Sequence, residues 1–190
     1  MKKILFITGS TRLNSFNRQL AFRAESLLLE EAEVSYLDYA NVPFFNQDTE
    51  FPTPEAVRLA REDILSCDGI WFFCPEYNRS YPGFLKNLID WMSRTLALND
   101  LSSGTVMKAK KATISGVSGK NAAFSARSKL YELLTYIEMD VYGEIGTGYA
   151  MGPEQFASDK LEITNVELDA LKQQAKGFLK FLDDKAVDNG

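Results

Sequence analysis

The chain has no histidine. That removes imidazole from every mechanism open to it: no Ser-His-Asp or Cys-His nucleophile, and no histidine-ligated metal. Cysteine is nearly as scarce. Cys67 and Cys74 make no disulfide scaffold, and both stand in apolar contexts where small core residues are expected. Positive charge is outnumbered. The 21 Lys and Arg against 26 Asp and Glu leave a net charge of −5, which gives no electrostatic case for a nucleic-acid partner. The short basic stretch Lys108-Ala109-Lys110-Lys111 reads as a solvated strand entrance. Long hydrophobic runs are also missing. Ile4 to Ile7 is too short for the apolar core of a signal peptide, and no stretch is long enough to span a bilayer. The expectation is a cytoplasmic protein with no membrane partner. None of these absences excludes chemistry carried by a bound cofactor, which asks less of the side chains.

What is present is an alternation of strand and helix signals. A length of 190 residues fits one domain, expected over 1–185, with 186–190 as a frayed tail. Lys3 to Thr8 reads as a strand buried on both faces. Leu20, Ala21, Ala24, Leu27 and Leu28 repeat at helical spacing across Ser15 to Glu31, with Ser15 or Asn14 as cap. Val34 and Tyr36 mark a second strand. Asn41 to Pro54, punctuated by Pro43, Pro52 and Pro54, reads as a long loop. Glu55 to Ser66 is a predicted helix with Val57, Ala60, Ile64 and Leu65 inward. Gly69 to Cys74 is the third strand, and a helix follows from about Pro82 with Leu85, Leu88, Ile89 and Met92 inside. Lys111 to Val117, Ser125 to Glu138, Val141 to Ile145 and Asn165 to Leu182 complete the series as strand, helix, strand and helix. Five strands alternating with helices imply an α/β three-layer sandwich around a doubly wound parallel sheet. The flavodoxin-like strand order 2-1-3-4-5 is expected, with ligands at the carboxyl ends of the strands where the order reverses.

Two loops meet that expectation chemically. After the first strand runs Gly9-Ser10-Thr11-Arg12-Leu13-Asn14-Ser15-Phe16-Asn17. It offers the hydroxyls of Ser10, Thr11 and Ser15, the amide of Asn17, the Arg12 guanidinium and the N-terminus of a helix, a donor set suited to a phosphate. Gly9 permits a sharp exit from the strand. The loop is neither a Walker loop nor a Gly-x-Gly-x-x-Gly fingerprint, so a mononucleotide phosphate fits better than ATP. After the third strand runs Pro75-Glu76-Tyr77-Asn78-Arg79-Ser80-Tyr81-Pro82-Gly83. Its backbone amides can meet acceptors on the edge of a heteroaromatic ring while Tyr77 packs against the ring. Asn78 tolerates unusual backbone angles. Glu76 is read as a solvated carboxylate.

With Leu85, Lys86, Asn87, Asp90 and Trp91 completing the second motif, the chain resembles the NAD(P)H-dependent FMN reductase family, which includes quinone, chromate and azo-dye reductases. The resemblance covers about residues 3 to 150. It implies that Ser10, Arg12, Ser15 and Asn17 hold an FMN phosphate and that Pro75, Glu76, Tyr77, Asn78 and Ser80 line the isoalloxazine. It makes Ser118 and Gly119 flavin contacts in a third loop, although Lys120-Asn121-Ala122-Ala123 stands where the family has a second glycine cluster. It implies an enzyme that takes hydride from NADPH or NADH and passes electrons to a quinone-like or other small acceptor, with no catalytic side chain of its own. Arg79 and Lys120 are candidates for a 2′-phosphate. Assembly as a homodimer or homotetramer is implied, with Trp91 and the Phe84 helix as a candidate interface or, alternatively, as monomer core. The rival readings are a flavodoxin-like electron carrier and a non-catalytic module that has lost its cofactor.

Overall fold

A computed structural model describes residues 1–184; the expected frayed tail at 186–190 lies outside the described residues. The strands are β1 (Lys2–Thr8), β2 (Ala32–Tyr36), β3 (Gly69–Phe73), β4 (Lys111–Ser118) and β5 (Asp140–Ala150). They form one sheet in the order β2-β1-β3-β4-β5, and every pairing is parallel. The helices are α1 (Phe16–Leu28), α2 (Glu55–Ser66), α3 (Gly83–Met92), α4 (Phe124–Tyr136), α5 (Pro153–Ser158) and α6 (Asn165–Asp183). None of them, among the described residues, is long and apolar enough to cross a membrane.

The period-two alternation of the strands divides the core. Ile4, Phe6, Trp71 and Phe73 point to the face covered by α1 and α6, whereas Leu5, Ile7, Ile70 and Phe72 point to the face covered by α2, α3 and α4. Both faces are therefore dry, and the central strands read as unbroken apolar runs. Cys67 and Cys74 are free and buried, and burial pushes both thiols above their ordinary range. They are packing residues rather than nucleophiles.

Three local expectations need correction, and one open alternative is decided. Leu65 is 56% exposed, because α2 meets the sheet along the narrower stripe Val57, Ala60 and Ile64. β5 runs from Asp140 to Ala150, well past Ile145, because a register irregularity between Thr113 and Ser115 absorbs the turn at Gly143 to Gly146 and lets pairing resume at Thr147. Gly146 takes φ +59°, and a Cβ there would stand 1.8 Å from the Ile114 carbonyl oxygen, so only glycine fits. The basic stretch is not simply solvated: Lys110 Nζ donates to the Cys67 carbonyl (2.8 Å) and Lys111 Nζ to that of Phe181 (2.7 Å). Finally, Trp91 has no accessible surface and its indole donates to the Pro43 carbonyl (2.8 Å), while Phe84 stacks on Tyr39. Of the two readings of this helix, Trp91 belongs to the core.

Candidate functional site

The carboxyl ends of β1 and β3, neighbours in the sheet, bring the first two loops together. The Gly9 amide donates to the Phe73 carbonyl (2.8 Å), and a Cβ on Gly9 would lie 3.0 Å from Cδ of Pro75. Glycine is needed here for close approach of the two loops, not for a left-handed turn. Between them and the end of β4 lies a cleft of about 370 Å³. Its walls include Ser10, Arg12, Ser15 and Asn17 from the first loop, Pro75, Glu76 and Tyr77 from the second, and Ser118 and Gly119 from the third. Asn78 and Ser80 do not line it.

The first loop is organised by the start of α1. Ser15 is the N-cap: its Oγ accepts from the Arg18 amide (3.1 Å) and its carbonyl from the Gln19 amide (3.0 Å). Among the described residues this leaves the amides of Phe16 and Asn17 as open donors at the positive end of the helix. The Asn17 side chain departs from expectation. It is buried, donates to the Val117 carbonyl (3.0 Å) and accepts from the Val117 amide (2.9 Å), so it stitches α1 to β4. Only its backbone can serve an anion. Arg12 also has a partner: Nη1 donates to Asp159 Oδ1 (2.7 Å), and the guanidinium lies 5.3 Å from the centre of the Phe16 ring.

The second loop is a tight turn. Tyr77 and Ser80 exchange amide–carbonyl hydrogen bonds of 2.9 and 3.0 Å, with Asn78 at φ 51° and Arg79 at φ 59°. Two consecutive left-handed residues define a type I′ turn, which suits Asn78 and strains Arg79. Ser80 thus closes the turn, and the Tyr77 amide is engaged within it. Tyr77 projects its ring half exposed at the cleft mouth.

Glu76 is not a solvated carboxylate. Its two oxygens accept from Asn121 Nδ2 (2.6 Å) and from the Ala126 amide (3.1 Å) in the first turn of α4. Asn121 Oδ1 in turn accepts from Ser118 Oγ (3.0 Å), which itself accepts from the Ala123 amide (2.8 Å). This chain joins the second loop to the third. It also explains how a loop without the second glycine cluster keeps its shape. Ala122 and Ala123 take φ 52° and 56°, a region that glycine enters freely and alanine enters at about 1 kcal/mol or more each. Arg127, buried, adds a further hold. Nε donates to the Ala122 carbonyl (3.2 Å), and Nη1 to the carbonyls of Ile145 and Gly146 (both 2.8 Å). Burial presses its guanidinium toward neutrality, and the carbonyls hold it in place.

Sequence reasoning missed α5 and the residue that follows it. Phe156 packs edge-on against Phe16 at 5.6 Å, and Phe156, Met151 and Asp159 complete the cleft wall. The donor set fits a phosphate monoester at one end: two hydroxyls, two helix-terminal amides and a guanidinium. Beside it stands an apolar, aromatic wall with room for a planar ring.

Residues 2–151 match the family described as NADPH-dependent FMN reductase. A 2-hydroxy-1,4-benzoquinone reductase from a Burkholderia species is 41% identical over 92 residues, 48% of this chain and 50% of that protein. A quinone reductase from Pseudomonas putida is 31% identical over 137 residues, 72% of this chain and 71% of that protein. The chain thus spans about half the length of the Burkholderia relative in the matched part. Among solved structures, the flavoenzyme NAD(P)H:(acceptor) oxidoreductase FerB from Paracoccus denitrificans superposes with a TM-score of 0.83 at 26% identity, covering 96% of this chain and 97% of that one.

Proposed function

The chain belongs to the NADPH-dependent FMN reductase family, and on that premise we propose that it holds FMN in the cleft, accepts hydride from NAD(P)H and reduces a quinone-like or other small electron acceptor. Membership implies FMN as cofactor and NAD(P)H as co-substrate. When bound, the flavin supplies the hydride and electron chemistry. The observation that carries the reading is the convergence of all three loops on one cleft at the point where the strand order reverses.

The chain's own residues bind and orient. Ser10 and Ser15 hydroxyls, the amides of Phe16 and Asn17, and Arg12 take the phosphate. Pro75 and Tyr77 would form the apolar wall for the ring, with the half-exposed Tyr77 at the cleft mouth. Ser118 and Gly119 would bound the cleft from the third loop. Glu76 acts as a brace between loops rather than as an acid or base, and Asn78 and Ser80 shape the turn. The absence of histidine agrees with this division of labour. A cytoplasmic location and a homodimeric or homotetrameric assembly are part of the proposal. Light scattering of the purified chain tests the assembly.

The test of function is steady-state oxidation of NADPH and of NADH by the flavin-loaded protein against a panel of quinones. Sustained turnover is expected. A protein that binds FMN and shows no turnover with either nucleotide is an electron carrier, and one that neither carries nor binds FMN is a module without redox function.

A further inference from the structure

We infer that Asp159 tunes the affinity of the phosphate site: its carboxylate shares Arg12 with the cofactor's phosphate and weakens the grip. This rests on the phosphate assignment above. Among the residues lining the cleft, Arg12 is the one cation, whereas Glu76 and Asp159 are both carboxylates. A cleft proposed for a dianion is therefore lined by one positive and two negative side chains. Glu76 is turned away into its brace with Asn121 and α4. Asp159 is not.

The Asp159 carboxylate grips the first loop with both oxygens. Oδ1 accepts from Arg12 Nη1 and Oδ2 from Asn14 Nδ2, each at 2.7 Å. These donors, Asn14 first and then Arg12, hold the carboxyl below its usual range, so it is ionised at neutral pH. The backbone fixes the position independently of the charge. The Asp159 carbonyl accepts from Asn14 Nδ2 and Gln19 Nε2 (both 3.1 Å), and Gln19 Oε1 accepts from the Leu161 amide (2.7 Å). Arg23 Nη2 adds a bond to the Leu161 carbonyl (2.7 Å). The segment after α5 is thus strapped along α1, and the strap delivers an anion to the guanidinium. Both partners of the ion pair are substantially exposed, so the pair is screened and easily re-formed. A phosphate and a carboxylate meeting at one guanidinium repel one another, and the phosphate loses affinity in proportion.

Asp159 sits at φ 54°, a left-handed conformation that asparagine adopts at least as readily. Asp159→Asn therefore removes the charge while keeping the backbone straps. Equilibrium dialysis of the full chain against FMN and against riboflavin, for the wild type, Asp159→Asn, Arg12→Ala and the double variant, is the test. The expected result is FMN binding tighter by about two- to fivefold in Asp159→Asn, the size of one screened charge pair. Riboflavin binding is unchanged, and removing the Asp159 charge gains less over Arg12→Ala than over the wild type, because only its direct repulsion of the phosphate is then left to relieve. Unchanged or weaker FMN binding in Asp159→Asn, alongside a loss in Arg12→Ala, overturns this inference and leaves the phosphate assignment standing. Wild-type FMN affinity in Arg12→Ala overturns the phosphate assignment and this inference with it.

Discussion

The first and third loops of the cleft solve opposite problems. The first, residues 9–17, has relaxed backbone and depends on side chains that can change partners: Arg12 leans on Asp159, and Ser10 and Ser15 carry rotatable hydroxyls. The third, residues 118–123, contributes little side-chain chemistry. Its two left-handed alanines are held by Ser118, Asn121, Glu76 and Arg127. One loop is built to bind and the other to keep its shape. Substitutions in the first should therefore change affinity more than stability, and substitutions in the network of the third should change both.

Four substitutions sharpen or break that contrast. The largest effect is expected from Arg12→Ala, which removes a charge-assisted contact of about 1.5–3 kcal/mol and should weaken FMN binding about 10- to 100-fold. Its thermal midpoint should stay within about 1–2 °C of the wild type, because the pair it breaks is exposed. A large fall in midpoint with FMN affinity intact would reverse the roles of the two loops. Next, Glu76→Ala strips the brace between the second and third loops. A stability loss of about 1–3 kcal/mol is expected in urea unfolding, together with weaker flavin binding. If the loss appears in affinity alone, the third loop is not braced through this residue.

Ser15→Ala comes third. It deletes both the cap of α1 and a phosphate donor, so it should weaken FMN binding and also cost about 1 kcal/mol of stability, read as a fall of about 2–4 °C in the melting midpoint. The smallest effect, and of opposite sign, belongs to Ala122→Gly. Relief of left-handed strain outweighs the added freedom of the unfolded chain by about 0.5 kcal/mol, so the variant should be marginally more stable. A destabilised Ala122→Gly would mean that the third loop is not strained.

The contrast also explains what could be read from the chain alone. The strands and the donor-rich first loop were legible because both are local patterns, apolar runs of strand length and polar residues between a strand and a helix, whereas the strand order followed from the α/β alternation and its topology. The helix α2 appeared at its sequence-derived limits, since Glu55 to Ser66 lies between Pro54 and the Cys67-Asp68-Gly69 turn. Partner choice was not legible. Asn17 meets Val117 across 100 positions, and Arg12 meets Asp159 across 147, so neither engagement leaves a trace in nearby sequence. Helix α5 was invisible because six residues carry no apolar period. The missing glycines of the third loop read as a departure; the alanines there nonetheless take left-handed backbone, and hydrogen bonds offset the cost. Trp91 stayed open between interface and core because its motif was recognisable and its burial was not.

The most direct test is a crystal structure of the full chain grown with excess FMN. The predicted result is a phosphate bound by Ser10, Arg12, Ser15 and the amides of Phe16 and Asn17, with the ring edge against Pro75 to Tyr77 and Ser118 to Gly119. Flavin lodged elsewhere, such as the hollow at Tyr81, Lys129 and Tyr136, or a cleft closed by its own side chains in the presence of the ligand, would contradict it.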